Sequence, residues 1–465
     1  MALPRRPSSP SRAGEPPAPV ARKRPRVYYG YYIVGAALLA QFISVGTQAS
    51  VSGAFFKPMS DDLGWTRAEF TYAQTVGRFM MAFAGFFIGV YVDRYGGRRL
   101  MLLGGTILAA ALFAVSAVTA LWQWVLLRGL IFTIGAALIG SLVVNVTLSK
   151  WFVEKRGRVI GVSAMGVSLA GVVMPLLMTW VIDSWGWRAA WQVLAAGSLM
   201  VIYPTALIMR RQPEDHGLHP DGKSDEEVAR GGGAAAQRDF DNSFTRGEAL
   251  RTPALYMIVL AFGLGGVGIG AMLLQTIPFL TDEGFSRTTA ALMSTTMSVP
   301  ALVSKPVWGW FMDKWDARAL AAAGFTMSGV AMVVIVLAAR QNALGPLVVG
   351  FLLMGWGFGG QIPLQETIWA SYFGRRYLGA VRSVAMPFSL FLGAGGPLAV
   401  SFYFDFVGNY DGAFFAIGAL WGLAAVLVLL VRRPRRPRRP SAVDAGEPPR
   451  SLAVVTGGGP GSRTT

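Results

Sequence analysis

The chain has 465 residues, 53% of them hydrophobic and only 14% charged, against about a quarter charged in an ordinary soluble domain. It has no cysteine, which excludes disulfides, thiol nucleophiles and Cys-ligated metals. Its net charge of +17 falls in short clusters between apolar runs, a topology pattern and not a nucleic-acid surface.

Residues 1–27, rich in Pro, Arg and Ser, are expected to form a disordered tail. Apolar runs of about 20 residues, enough to cross a bilayer core, then alternate with short polar links. They predict twelve spans at 28–53, 68–91, 100–119, 123–149, 159–182, 189–209, 253–279, 288–312, 319–339, 344–372, 382–404 and 410–431. The fold class is therefore an all-α membrane protein: a six-helix bundle over 28–209, a linker over 210–252 and a second bundle over 253–431. His216 and His219, the only histidines, lie in that linker, outside any span.

Of the 42 Lys and Arg residues, 34 fall in the tails and the even-numbered links. Five (Lys57, Arg67, Arg188, Arg287, Arg340) face the other side, and three (Arg78, Arg128, Lys305) lie within spans. Positive loops stay inside, so both termini and the linker are expected in the cytoplasm, with the chain in a bacterial inner membrane. Arg-Arg-Pro repeats open a basic tail over 432–465, expected to be disordered and to lie against anionic lipid headgroups.

The second spans of the two halves share a register. Gly64-Trp65-Thr66-Arg67 aligns without gaps with Gly284-Phe285-Ser286-Arg287, and Gly89, Asp93, Arg94 and Arg98 with Gly309, Asp313, Lys314 and Arg318. Gly171 to Pro175 and Gly393 to Pro397 echo in spans 5 and 11. Same-orientation repeats of six spans predict two pseudo-symmetric bundles about an axis along the membrane normal. Thr66, with Glu69 three residues on, is expected to cap the second helix as a capping box, and Ser286 to cap the eighth.

The loop after span 2 carries Gly89, Asp93, Arg94, Gly96, Arg98 and Arg99 in the pattern G-x-x-x-D-R-x-G-x-[RK]-[RK], which resembles the signature of the major facilitator superfamily. Arg128 with Gly129 early in span 4 resembles a further motif of that family. The resemblance implies a conformational latch of these residues and Gly309, Asp313, Lys314 and Arg318, holding the halves together on the cytoplasmic side. It also implies alternating access. Tyr-Gly-Tyr-Tyr at 29–32, Phe-Phe-Lys-Pro at 55–58, Gly-Trp-Thr-Arg-Ala-Glu at 64–69, the 150–158 stretch and Gly186-Trp187-Arg188 are similar to the monocarboxylate and oxalate/formate branch.

A charge inside a span is costly, so each is a functional candidate. Lys305 lies eight residues before Asp313, about 12 Å from the end of its span and near mid-membrane. Glu366 lies at nearly the same depth in span 10, so a Lys305–Glu366 pair is expected. Lys305-Pro306 also matches the branch's basic residue in span 8, which the resemblance makes the ligand of a substrate carboxylate. The branch's aspartate one turn earlier is here Ala301, its first-span lysine is Ser50, and the oxalate-type lysine of span 11 has no counterpart beyond Arg382. Glu366 is then the candidate for proton coupling. Arg78, Gln48, Asn145, Gln275, Gln361 and Gln365 are further candidates to line a substrate path.

These readings predict a monomeric secondary transporter of a small organic anion, a monocarboxylate first, with proton symport as one mode. An exporter of amphiphilic solutes is the alternative. No metal, phosphate-binding or nucleophile motif points to an enzyme, and no cofactor is expected.

Overall fold

The computed structural model describes residues 27–434. The expected disorder of residues 1–26 and the expected lipid contact of 435–465 lie outside the described residues.

Ten described helices are long and apolar enough to cross a membrane. One of them, Arg156–Ile208, would be about 80 Å long if continuous, more than twice a bilayer core. Gly186, at φ 79°, turns the chain back, so this stretch makes two crossings. Arg287–Met312, rich in Ser and Thr and carrying Lys305 between Pro300 and Pro306, completes the twelve. We number them α1 (Gly30–Leu63), α2 (Arg67–Tyr95), α3 (Gly97–Val115), α4 (Leu121–Trp151), α5 (156–185), α6 (187–208), α7 (Pro253–Asp282), α8 (Arg287–Met312), α9 (Ala317–Arg340), α10 (Leu344–Phe373), α11 (Leu378–Val407) and α12 (Asp411–Leu430).

Local chemistry fixes the ends. Thr66 accepts from the Glu69 N–H while the Glu69 carboxylate accepts from the Thr66 N–H, closing a capping box at the start of α2. In the second half Ser286 accepts from the Thr289 N–H and starts α8. Two helices are irregular within the membrane: α1 is π-helical through Gly46–Ser50, and α4 through Val125–Ile131.

The two six-helix sets pack across α2 against α11 and α5 against α8. At one end lie the α2–α3, α4–α5, α8–α9 and α10–α11 turns with the linker; this is called the basic face. Gly89 of α2 lies against the Gly379 backbone, and Gly309 of α8 against that of Gly157, so closely that a Cβ at either would strike a carbonyl. Only glycine allows both approaches, and between them they shut the basic face.

The linker straps the same face. Asp239 accepts from Arg156 at 3.0 Å and lies 3.9 Å from Arg375, which also meets Glu214 at 2.6 Å. Asp221 accepts from the N–H groups of Val153, Glu154 and Lys155. Phe244 donates its N–H to the Phe373 carbonyl. Arg156 belongs to the first half and Arg375 to the second, so the linker's acids span both.

Candidate functional site

Two carboxylates organise the basic face. Asp93, at the end of α2, accepts from the Ala380 N–H at 2.8 Å and pairs with Lys150 at 2.9 Å. Asp313, at the end of α8, accepts from the Gly157 N–H at 2.8 Å and from Arg158 at 2.6 Å. Each acid therefore sits on the positive first turn of a helix in the opposite bundle, α11 or α5. Burial lifts the Asp313 carboxyl above its ordinary range, against the downward pull of Arg158 and the Gly157 N–H.

The remaining expected latch residues do not reach across. Arg98 and Arg99 are exposed. Arg94 lies over the Tyr95 ring and Lys314 over Trp310. Arg318 pairs with Asp316 and donates to the Val431 carbonyl, inside its own half. Gly96 takes φ 80° at the α2–α3 turn. Asp93 meets the buried Lys150 and not Arg94, Arg98 or Arg99, whose side chains are exposed.

Arg128 stands apart from the latch altogether. It lies seven residues into α4 from the opposite face, about 10 Å deep, and donates to the carbonyls of Thr47 and Gln48 in α1. Its place in the sequence motif carries no information on depth, since α4 runs toward the basic face and begins at the other one.

At mid-membrane Lys305 is 2% exposed. Its ammonium donates to the Ser168 hydroxyl of α5 at 2.5 Å and to the Ala301 carbonyl at 2.9 Å, and lies 5.9 Å from the Phe358 ring. It thus reaches from the second bundle to the first. Three donors have two neutral acceptors, and among the described residues no carboxylate lies within ion-pair range.

The expected Lys305–Glu366 pair does not form. Glu366 pairs instead with Arg382 of α11. Equal depth does not bring the two together, because Lys305 faces α5 while Glu366 faces α11. Arg382 is also deeper than its place at the sequence edge of span 11 suggests: it stands in the second turn of α11, nearly inaccessible, with its guanidinium 5.4 Å from the Trp369 ring.

The amides divide. Gln275 is spent on an interhelical bond, donating to the Ser401 hydroxyl at 2.8 Å. Gln361 is buried with an unpartnered Nε2, and Asn145 is buried with both amide atoms unpartnered among the described residues. Gln365 is half-buried beside Glu366. Gln48 and Arg78 line a cavity between α1, α2 and α4, together with Arg128.

Three residues of the site do not stand out in the sequence. Lys150 opens the 150–158 stretch that resembles the branch, just before Trp151-Phe152, but nothing in the sequence marks it as the partner of Asp93. Arg382 reads as an edge residue of its span. Ser168, one hydroxyl among many, carries no sequence signal that separates it from its neighbours.

The model of the Major Facilitator Superfamily matches residues 37–286 and again 269–458. The oxalate:formate antiporter of Oxalobacter formigenes is 27% identical over 360 residues, covering 75% of this chain and 78% of that protein. Monocarboxylate transporter 13 of Bos taurus is 24% identical over 84% of this chain and 86% of its own length. The agnestins efflux protein of Paecilomyces divaricatus is 23% identical over 67% of this chain and 66% of its own. Among solved structures, the proton:xylose symporter XylE bound to 6-bromo-6-deoxy-D-glucose superposes with a TM-score of 0.66 at 14% identity, covering 87% of this chain and 96% of that one. The human organic anion transporter MFSD10 gives 0.64 at 14% identity, over 87% of this chain and all of that one. At such identities these two report the fold alone.

Proposed function

The chain belongs to the Major Facilitator Superfamily, and on that premise we propose that it carries a small organic anion, a monocarboxylate first, by exposing a central site alternately to the two sides of the cytoplasmic membrane. The observation that carries this reading is the Lys305 ammonium, buried between the bundles with a hydroxyl and a carbonyl for partners and no acid. A buried cation without a counter-ion is costly, and a carboxylate entering beside Ser168 removes that cost. Glu366 cannot serve as the counter-ion, since Arg382 already neutralises it. The likeness to an oxalate:formate antiporter and to a monocarboxylate transporter supports the same solute class.

In this proposal the basic face is cytoplasmic, as the placement of the lysines and arginines supports. Asp93 and Asp313 are the latches that keep it closed while the site opens outward, and the glycine contacts set how tightly it closes. Coupling of Glu366 to protons through Lys305 loses its geometric basis; Glu366 acts as the partner of Arg382.

The test is purified protein in liposomes, offered radiolabelled formate, pyruvate, malonate, glucose and choline with and without a pH gradient. Saturable uptake of a carboxylate, lost in Lys305→Gln, supports the reading. Uptake of glucose or choline alone would overturn it. Efflux of amphiphiles, the activity named for one relative, would appear instead as outward movement of apolar dyes insensitive to Lys305→Gln.

A further inference from the structure

A cavity of about 320 Å³ lies in the first bundle, walled by α1, α2 and α4 and closed on one side by Met386 of α11. Its size is at the small end of ligand sites, which suits a solute of a few carbons. Lys305 is not among its lining residues, so the chemistry of this cavity is independent of the role given to that lysine.

Two backbone irregularities meet at the wall of this cavity. The π-helical stretch Gly46–Ser50 of α1 faces the π-helical stretch Val125–Ile131 of α4. Such widened turns free backbone carbonyls from their usual partners and recur where helices bind something. Arg128 stands on the second stretch and uses its Nη2 on two carbonyls of the first region, Thr47 at 3.1 Å and Gln48 at 2.6 Å. Phe132 stacks on its guanidinium at 3.9 Å. The side chain is therefore held rigidly, at 5% exposure.

Holding it so does not satisfy it. A guanidinium has five N–H donors, and among the described residues Arg128 makes hydrogen bonds through Nη2 alone. Arg78 lines the same cavity from α2, and it too has no ion-pair partner among the described residues. No aspartate or glutamate lines the cavity; its polar groups are hydroxyls and amides such as Ser44, Gln74 and Ser141. Arg128 is buried without counter-charge while Arg78 is exposed at the same cavity, and an anion between the two cations stabilises both.

We propose that this cavity is an anion site in its own right, in which the Nη1 donors of Arg128, left free by its Nη2 bonds, take the carboxylate or sulfonate of a small organic anion and Arg78 binds it from the α2 side. The site lies in the half of the bundle away from the basic face. With the basic face closed, it is the place where an anion is held before it reaches the centre.

The chain's lack of cysteine allows a direct test. Ser141→Cys places one thiol on the cavity wall, half-buried and beside the α4 break at Gly140. Full-length protein in nanodiscs is treated with methanethiosulfonate ethylsulfonate, itself a small organic anion, and with the trimethylammonium analogue. Both rates are normalised to free cysteine. The anionic reagent should react about tenfold faster or more, as charge-assisted pairing predicts. Adding Arg128→Gln should bring the ratio close to one, Arg78→Gln should lower it part of the way, and Arg128→Lys, which keeps the charge, should retain most of it. Lys305→Gln should leave it unchanged.

Equal rates for the two reagents, no modification by either, or a preference that survives Arg128→Gln would overturn the proposal. A preference lost in Lys305→Gln but kept in Arg128→Gln would overturn it too while supporting the lysine as the anion's ligand. The reverse pattern, with carboxylate transport indifferent to Lys305→Gln, would leave this cavity standing and remove the central one.

Discussion

Asp93 and Asp313 occupy equivalent turns of the two halves and grip the opposite bundle in the same way, yet their counter-ions differ. Asp93 pairs with Lys150 of its own bundle, and both side chains are almost inaccessible, at 8% and 3% exposure. Asp313, itself only 4% exposed, pairs with Arg158 of the other bundle, whose side chain is 46% exposed. The shared element is a carboxylate on a helix N-terminus across the interface, through Ala380 and Gly157. The crossing hydrogen bond is the common device, while the counter-ion is buried and internal in one half and half-exposed and bridging in the other. A half-exposed arginine can turn to water when its partner is lost, whereas one member of a fully buried pair is strongly destabilising when left alone.

That difference can be broken at its strongest point first. Asp93→Ala should cost about 3–5 kcal/mol, because it strands the buried Lys150 ammonium. The readout is the fraction of monodisperse protein surviving a heating series, and Lys150→Met in the same chain should recover part of the loss. Next, Gly89→Val puts a branched side chain against the Gly379 carbonyl and should penalise the closed face by about 1–3 kcal/mol. A thiol at the fully buried Ser383, adjacent to that contact, should then become reactive to maleimide from the basic face.

Asp313→Asn should cost less, about 1–2 kcal/mol, since it loses charge but keeps an oxygen for the Gly157 N–H. Arg158→Gln should cost less than about 1 kcal/mol, and whatever it costs should shrink as salt is raised. Heating series on both variants place them on the same scale. Arg158→Gln proving as damaging as Asp93→Ala would reverse the comparison.

The frame of the molecule is legible in the sequence because membrane length and the positive links impose it. The twelve helices appear near their expected spans, and the Thr66 and Ser286 caps form as the repeat indicates. The acids at the basic face are legible from their repeated spacing. Their partners are not. Spacing along a chain says nothing of which way a helix face turns, so Lys305 and Glu366 share a depth without meeting. Arg128 escapes the latch for a related reason: a motif gives order in sequence, and α4 carries it to the opposite end. The π-helical stretches that bring Arg128 onto the Thr47 and Gln48 carbonyls have no compositional signature at all.

The most direct measurement is counterflow of labelled pyruvate into proteoliposomes preloaded with unlabelled pyruvate, comparing the native chain with Lys305→Gln and Lys305→Arg. The account predicts transient accumulation by the native protein, none by Lys305→Gln, and partial recovery with Lys305→Arg, which restores a cation at the centre. Equal counterflow in the native chain and Lys305→Gln would contradict it.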